Sequence, residues 1–321
     1  MLTVQKFGGS SVADSGRIAH VAELVAGEYN QGNRLVVVLS AQGDTTDELI
    51  EKAREINPAP PKRELDALLS VGEQVSVSLM AMELEKRGLP ALSLTGWQAG
   101  IRTDAVHGTA RIEAVDAARI RRELDAGKIV IVAGFQGRSG DGDITTLGRG
   151  GSDTTAVALA AALGADFCRI YTDVEGVFTA DPRKIPAAIK HENIGYDEML
   201  ELAKLGSQVL HSRSVELAME RGVELEVLSS YVDAPGTIVG KRGADAAGVT
   251  GITADRTAPG GAKVSIVGYG LTGAEEQMLQ ALREAGIDAE PLPRGKISFS
   301  ALVPKAEADR AVRVVHKKLF E

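Results

Sequence analysis

The chain has 321 residues, enough for two domains at about 150 residues each, and its 44% hydrophobic and 25% charged residues give the balance of a folded globular protein. Intrinsic disorder, collagen-like repeats and coiled coil are disfavoured on that balance. The 36 Lys and Arg against 44 Asp and Glu leave a net charge of −8, the wrong sign for holding nucleic acid or an anionic membrane by bulk charge, so an anionic small ligand would need a local cluster of cations.

A single cysteine, Cys168, cannot form an internal disulfide and lies in an apolar run, where a buried, inert thiol is expected. The opening MLTVQKFGGS contains no stretch suited to a signal peptide, and the longest apolar run, residues 156–165, is far short of a bilayer span. These features predict a cytoplasmic protein with neither membrane nor nucleic-acid partners. The five histidines are scattered without paired-ligand spacing, so no metal-ligating residues are assigned.

In chain order, short β-branched runs alternate with helical stretches over the first ~240 residues, the pattern of a mostly parallel sheet covered by helices on both faces. Strands are expected at 3–7, 35–40, 91–94, 129–135, 167–172 and 225–229, several of them apolar almost throughout, as strands buried on both faces are. Ile18, Val21, Ala22 and Val25 repeat at helical spacing, as do Leu65, Leu68, Leu69 and Gly72 ahead of a run to Leu84. Residues 240–248, small, polar and without periodicity, read as a linker between a domain at 1–240 and a second at 249–321. The second reads as strands at 249–253 and 263–267, a helix at 274–284, strands at 289–292 and 296–303, and a helix at 307–319, a small ferredoxin-like α+β unit.

Four segments could carry chemistry. The first strand runs into Lys6, Phe7, Gly8, Gly9, Ser10 and Ser11 and then a helix; such glycines either make a tight turn or let backbone amides and a helix N-terminus hold a phosphate, with Lys6 as a nearby cation. In the glycine cluster of 137–151, Arg149 precedes Ser152 and Asp153, which can cap the following apolar helix; a guanidinium on a glycine-bracketed loop suits a carboxylate, whose two oxygens match its fork. YTDVEGVFTADPR places Thr172, Asp173, Glu175, Phe178, Asp181 and Arg183 beyond a strand end, either a solvated turn or the usual ligand position of an open α/β sheet. Glu73, in LLSVGEQVS, is either a first-turn helix charge or a carboxylate aimed at an ammonium group. A fifth, GYGLTG with Gly268, Gly270 and Gly273, matches the dinucleotide fingerprint as written, but too little chain follows it for a nucleotide-binding sheet.

Taken together and in order, VQKFGGSSV, VVVLSAQGDTTDEL, LLSVGEQVS, AGFQG, TTLGRGGSDTTA, YTDVEGVFTADPR and LHSRSVELA resemble the aspartate kinases of the amino-acid kinase superfamily, and the end of the chain resembles an ACT-type regulatory module. The resemblance implies an α/β fold, a three-layer αβα sandwich with a mostly parallel sheet, plus the ferredoxin-like ACT-like domain. It implies transfer of the γ-phosphoryl group of ATP, with Mg²⁺, to the side-chain carboxylate of L-aspartate, the entry to lysine, threonine, methionine and diaminopimelate synthesis. By the same resemblance Lys6 and Asp153 would be catalytic. Lys6, Phe7, Gly8, Gly9, Ser10, Thr172, Asp173, Phe178, Asp181, Arg183 and Gln208 would hold the nucleotide, and Ser40, Thr46, Glu73, Arg149, Gly150, Gly151 and Ser152 the aspartate. A related acid such as glutamate or acetylglutamate, or a non-catalytic amino-acid sensor, are the alternatives. Gln208 stands where the family often has lysine, and one ACT-like unit where it commonly has two, which implies altered feedback by lysine or threonine. The C-terminal unit is expected to pair copies into a homodimer or higher homo-oligomer through its open sheet edge.

Overall fold

The computed structural model describes residues 1–241 and 248–321. The described chain packs as two units, one of residues 1–173 and 217–235, the other of 174–216 and 236–321.

The first unit is built on six parallel strands in the order Leu225–Ser229, Phe167–Thr172, Leu2–Phe7, Arg34–Leu39, Ile129–Ala133 and Ala91–Leu94. All six expected strands are present. The run expected at 129–135 ends at Ala133 because Phe135 adopts a left-handed φ of 69°, which no strand accommodates. The strands are hydrophobic on both faces because both are covered: on one, Leu35, Val37, Leu39, Ile129 and Ile131 pack with Ile18, Val21 and Val25 of the helix Ser15–Asn30 and with Val77, Met80 and Leu84 of Val71–Lys86, while the alternate residues Val36 and Val38 are fully buried on the other, where the helix Gly151–Leu163 packs on the sheet. Each such side chain contributes ~1.5 to 3 kcal/mol on burial. Cys168 is buried in this sheet, where loss of solvent pushes its thiol well above the ordinary range and leaves it inert. A second sheet, Ile112–Val115, Ile101–Thr103, Gln136–Ser139 and Ile144–Thr146, was not anticipated; its strands of three or four residues are too short to show a period.

Residues Lys62–Lys86 form one helical stretch of 25 residues, by length and composition alone sufficient to cross a membrane, although 44% of its most apolar window is buried in the fold. Leu and Val alternate there with Gly, Ser and Gln, so no continuous apolar run marks the stretch in the sequence.

In the second unit four antiparallel strands, in the order Gly248–Asp255, Ala262–Tyr269, Ser298–Val303 and Glu290–Pro291, pack against the helices Ala274–Glu284 and Ala308–Phe320. Ala262–Tyr269 has antiparallel neighbours on both sides, so GYGLTG does not sit in a parallel βαβ unit and the dinucleotide reading falls away. The unit also takes in 174–216, whose Ala180 and Ile185 join Ile252, Val264, Met278 and Val315 in one core. The cut expected at 240–248 falls chiefly on 242–247, outside the described residues.

Thr179 and His316 form a buried pair in this unit. The Thr179 hydroxyl accepts from the Ile189 amide (2.9 Å) and shares a hydrogen bond with Nε2 of His316, also at 2.9 Å. Burial holds the ring's pKa below the ordinary imidazole value, which favours its neutral form. The unfolded chain takes up a proton near pH ~6.5 that the native state resists; the stability tied to the neutral ring is present above that pH and is lost as pH falls through the lower native value. His316→Phe, which keeps the ring volume, is expected to lose less thermal stability than wild type between pH 7 and pH 5. Parallel melting profiles by circular dichroism would refute this.

Candidate functional site

The first strand delivers Lys6 to the carboxyl end of the parallel sheet. Its neighbour Phe7 turns inward to stack on Tyr171, with ring centroids 4.4 Å apart, and the strand's alternation leaves Lys6 partly open. The chain then turns at Gly8 and Gly9. A Cβ on Gly9 would stand 2.7 Å from the Ala41 carbonyl oxygen, so only glycine lets the turn meet the loop after Arg34–Leu39; the Gly43 amide closes the contact by donating to the Gly9 carbonyl at 3.1 Å. The element after the glycines is a four-residue 3₁₀ turn, Gly9–Val12, and the α-helix starts only at Ser15, where the Asp14 side chain caps the Arg17 amide at 2.9 Å. One donor of the helix N-terminus expected to face a phosphate is thus taken by Asp14, and the glycine corner itself offers the turn amides and the Lys6 ammonium.

Opposite Lys6, the loop with Gly148, Arg149 and Gly150 leads into the helix Gly151–Leu163. Gly148 and Gly150 take φ of 77° and 69°, left-handed values that keep Arg149 on an outward bend between them. Arg149 is exposed and forms no hydrogen bond or ion pair among the described residues. Ser152 and Asp153 lie in the first turn rather than at the cap, which is Gly150. That frees the Asp153 carboxylate for Lys6, whose Nζ lies 2.7 Å from Oδ1 with both side chains about one-eighth exposed (13% and 12%).

Glu73 lies in the first turn of Val71–Lys86 and is 3% exposed. Its Oε1 accepts from the Ala41 amide at 3.1 Å, while Oε2 is buried with no hydrogen-bond partner among the described residues. Burial pushes the carboxyl up to about 8. An unpaired buried carboxylate oxygen is costly unless a ligand supplies a donor, and an ammonium group supplies one.

Lys6, Gly9, Ser40, Thr46, Glu73, Arg149, Gly150, Gly151, Ser152 and Asp153 all line one cleft of about 700 Å³ in the first unit. Phe7, Gly8 and Ser10 flank it without lining it. Thr172 and Asp173 close the strand Phe167–Thr172 of the same unit, where the Thr172 carbonyl accepts from the Ser230 amide at 3.0 Å. Phe178, Asp181 and Gln208 line a separate cavity of about 290 Å³ in the second unit, and Arg183 of that unit pairs with Asp181 at 3.0 Å. Further polar residues line the cleft without having been assigned a role from the sequence, among them Asp66 and His107: Asp66 sits within an amphipathic helix and His107 in a hairpin tip, and neither carries a motif.

No group of three or more His, Cys, Asp and Glu able to hold a metal occurs among the described residues. With Asp153 engaged by Lys6, the donor set of the cleft fits a divalent cation carried by nucleotide phosphates and water rather than by a protein cage.

A parallel sheet with a glycine turn, a lysine and a glycine-bracketed arginine beyond its strand ends carries the cations and amides that an anionic ligand needs, at the usual ligand position of an open α/β sheet. The chain belongs to the amino acid kinase family, whose model matches residues 1–229, and an ACT domain model matches 264–319. Within it the chain falls among the aspartokinases: it is 61% identical to an aspartokinase of Geobacillus stearothermophilus over 74% of this chain and 58% of that one. It is 47% identical to an aspartokinase of Corynebacterium glutamicum over 98% of this chain and 77% of that one. The chain therefore spans little more than half the length of some relatives it matches. Among solved structures, it superposes on E. coli aspartokinase III in complex with aspartate and ADP with a TM-score of 0.88 at 24% identity over 100% of both chains, a likeness of fold. The aspartate kinase from Synechocystis matches with a TM-score of 0.69 at 34% identity over 99% of this chain and 69% of that one.

Proposed function

We propose that the chain transfers the γ-phosphoryl group of ATP to the side-chain carboxylate of L-aspartate, giving 4-phospho-L-aspartate and ADP, in the cytoplasm. The carrying observation is that a paired lysine, a guanidinium and a carboxylate oxygen that are both without a partner among the described residues share a single cleft. These are the complements of a phosphate, a carboxylate and an ammonium group.

The acceptor carboxylate is already ionised at neutral pH, so no general base is required and the work reduces to alignment and charge neutralisation. A carboxylate oxygen forms the new bond to phosphorus as the bond from phosphorus to the ADP oxygen breaks. Lys6 meets the charge on the phosphoryl oxygens, and Asp153 holds the ammonium in place before substrate arrives. Arg149 takes the α-carboxylate and Glu73 the ammonium, with Ser40, Thr46, Gly150, Gly151 and Ser152 shaping the pocket. The turn at Phe7, Gly8, Gly9 and Ser10, with Thr172 and Asp173, serves the nucleotide in the first unit; for Phe178, Asp181, Arg183 and Gln208 of the second unit a nucleotide role rests on the family resemblance alone. Mg²⁺ entering with ATP supplies further neutralisation at the phosphates. Residues 1–240 hold this chemistry, and 249–321 serve regulation or pairing of copies.

The test is ADP release with Mg-ATP and L-aspartate, L-glutamate or N-acetylglutamate; turnover with another acid, or with none, rejects the reading. Glu73 adds a pH signature. Below about 8 its carboxyl is protonated in the empty cleft, and an ammonium must displace that proton. The KM for aspartate is expected to fall as pH rises from 6 towards 8, by up to about tenfold per unit, and then to level. Glu73→Gln should abolish the slope; an unaltered profile in that variant removes Glu73 from ammonium recognition.

A further inference from the structure

Asp66 is the most fully engaged carboxylate of the cleft. It lies on the helix Lys62–Leu69 and is 1% exposed. Thr146 Oγ1 donates to its Oδ1 at 2.5 Å, the Gly108 amide reaches both oxygens at 3.1 and 3.0 Å, and Nδ1 of His107 lies 2.9 Å from Oδ2. Two separate chain segments, the tip at His107 and Gly108 and the strand with Thr146, therefore converge on one buried carboxylate. A scaffold role alone would be met by the Thr146 and Gly108 contacts, which fasten the hairpin tip; the imidazole contact does something further, because it fixes the orientation of a ring that lines the cleft.

The same tip supports the arginine loop. A Cβ on Gly148 would stand 3.0 Å from the Gly108 carbonyl oxygen, so the turn carrying Arg149 rests directly on the segment that Asp66 clamps. His107 and Arg149 thus occupy one wall of the cleft, while Glu73 comes from another element, Val71–Lys86. With Nδ1 committed to Asp66, Nε2 is the only polar atom the ring has left to offer.

We propose that His107 is a second anchor for the carboxylate bound by Arg149, and that Asp66 is the positioning residue that aims it. This rests on the phosphotransfer reading above. In the complex both ring nitrogens donate, Nδ1 to Asp66 and Nε2 to a carboxylate oxygen of the acceptor. Arg149 alone could let the acceptor swing about its guanidinium; a second donor on the same wall fixes which way its side chain points, and alignment is what this reaction requires.

The experiment is calorimetric titration of the full chain with L-aspartate in the presence of Mg-ADP, a readout that does not depend on turnover, with ADP affinity measured alongside. His107→Ala is expected to weaken aspartate binding by about tenfold while ADP binding stays within about twofold. Asp66→Asn should weaken aspartate binding in the same way, and the double variant no further than His107→Ala alone, because a positioning residue has nothing left to aim. Undiminished aspartate affinity in His107→Ala overturns the assignment, as does an Asp66→Asn loss that persists in full when His107 is absent. Should Asp66→Asn fail to fold, His107→Gln carries the test: its amide can place a donor near Nε2, so it should recover most of the affinity that alanine loses, and equal loss in both variants refutes the donor. Wild-type protein that turns over another acid and binds no aspartate rejects the underlying reading as well, and is told apart by that activity.

Discussion

Lys6→Ala is expected to lower kcat about 1,000-fold, on the order of 4 kcal/mol of transition-state stabilisation, the range found when one pre-placed charge-stabilising donor is removed from an active site. The expectation follows from economy of means in the cleft. In the proposed reaction the acceptor needs no base, so catalysis consists of alignment and neutralisation, and Lys6 is the cation that the parallel sheet itself delivers at the glycine turn. The fold should survive: Lys6 is the last but one residue of its strand and its aliphatic stem fills no core position. Asp153 loses its 2.7 Å partner, which costs about 1 to 3 kcal/mol and shows as a lowered melting temperature in a still cooperative transition. Steady-state ADP release at saturating ATP and aspartate, beside a thermal melt, separates the two effects. Turnover within a few-fold of wild type in a folded Lys6→Ala protein would remove the lysine from the reaction.

Arg149→Ala is expected to act on a different constant. Arg149 has no partner to lose among the described residues and stands exposed between two left-handed glycines, so its removal disturbs little of the structure. A charge-assisted pair with a substrate carboxylate is worth ~1.5 to 3 kcal/mol, which corresponds to a rise in the aspartate KM of about 10- to 150-fold. The KM for ATP should stay within about twofold. Arg149→Lys should recover only part of the loss, because an ammonium offers a point charge where the guanidinium offers two parallel donors. Aspartate kinetics indistinguishable from wild type in Arg149→Ala would place the acceptor elsewhere.

The central strands were legible in the sequence because burial on both faces writes a continuous apolar run, as in RLVVVL and IVIVA, that no helix period explains. The glycine turn and the arginine loop were legible for a similar reason: a backbone that must approach another, or bend left-handed, admits few residues but glycine. What stayed hidden depends on distant partners. Nothing in IRT or ITT announces a strand until the two lie in one sheet, where Thr103 and Thr145 share a hydrogen bond at 2.6 Å. Asp66 reads as one more charge on an amphipathic helix; its role comes from groups 41, 42 and 80 positions away in the chain. Capping of Ser15–Asn30 by Asp14 likewise overrides the expectation that the glycines open the helix.

The stretch after Asp173 carries a lesson for anyone wishing to trim this protein. Its Thr179 carbonyl accepts from the Ile252 amide at 2.8 Å, His191 Nε2 meets the Thr250 carbonyl at 2.8 Å, and Ala180 and Ile185 are seated among the apolar residues of the C-terminal strands and helices. A gene shortened to codon 240 would keep Phe178, Asp181 and Arg183 yet strip away the surface on which their backbone is laid. The tail is a foundation for that loop, and amputating it should yield an insoluble product where a sequence-drawn boundary promises an unregulated enzyme.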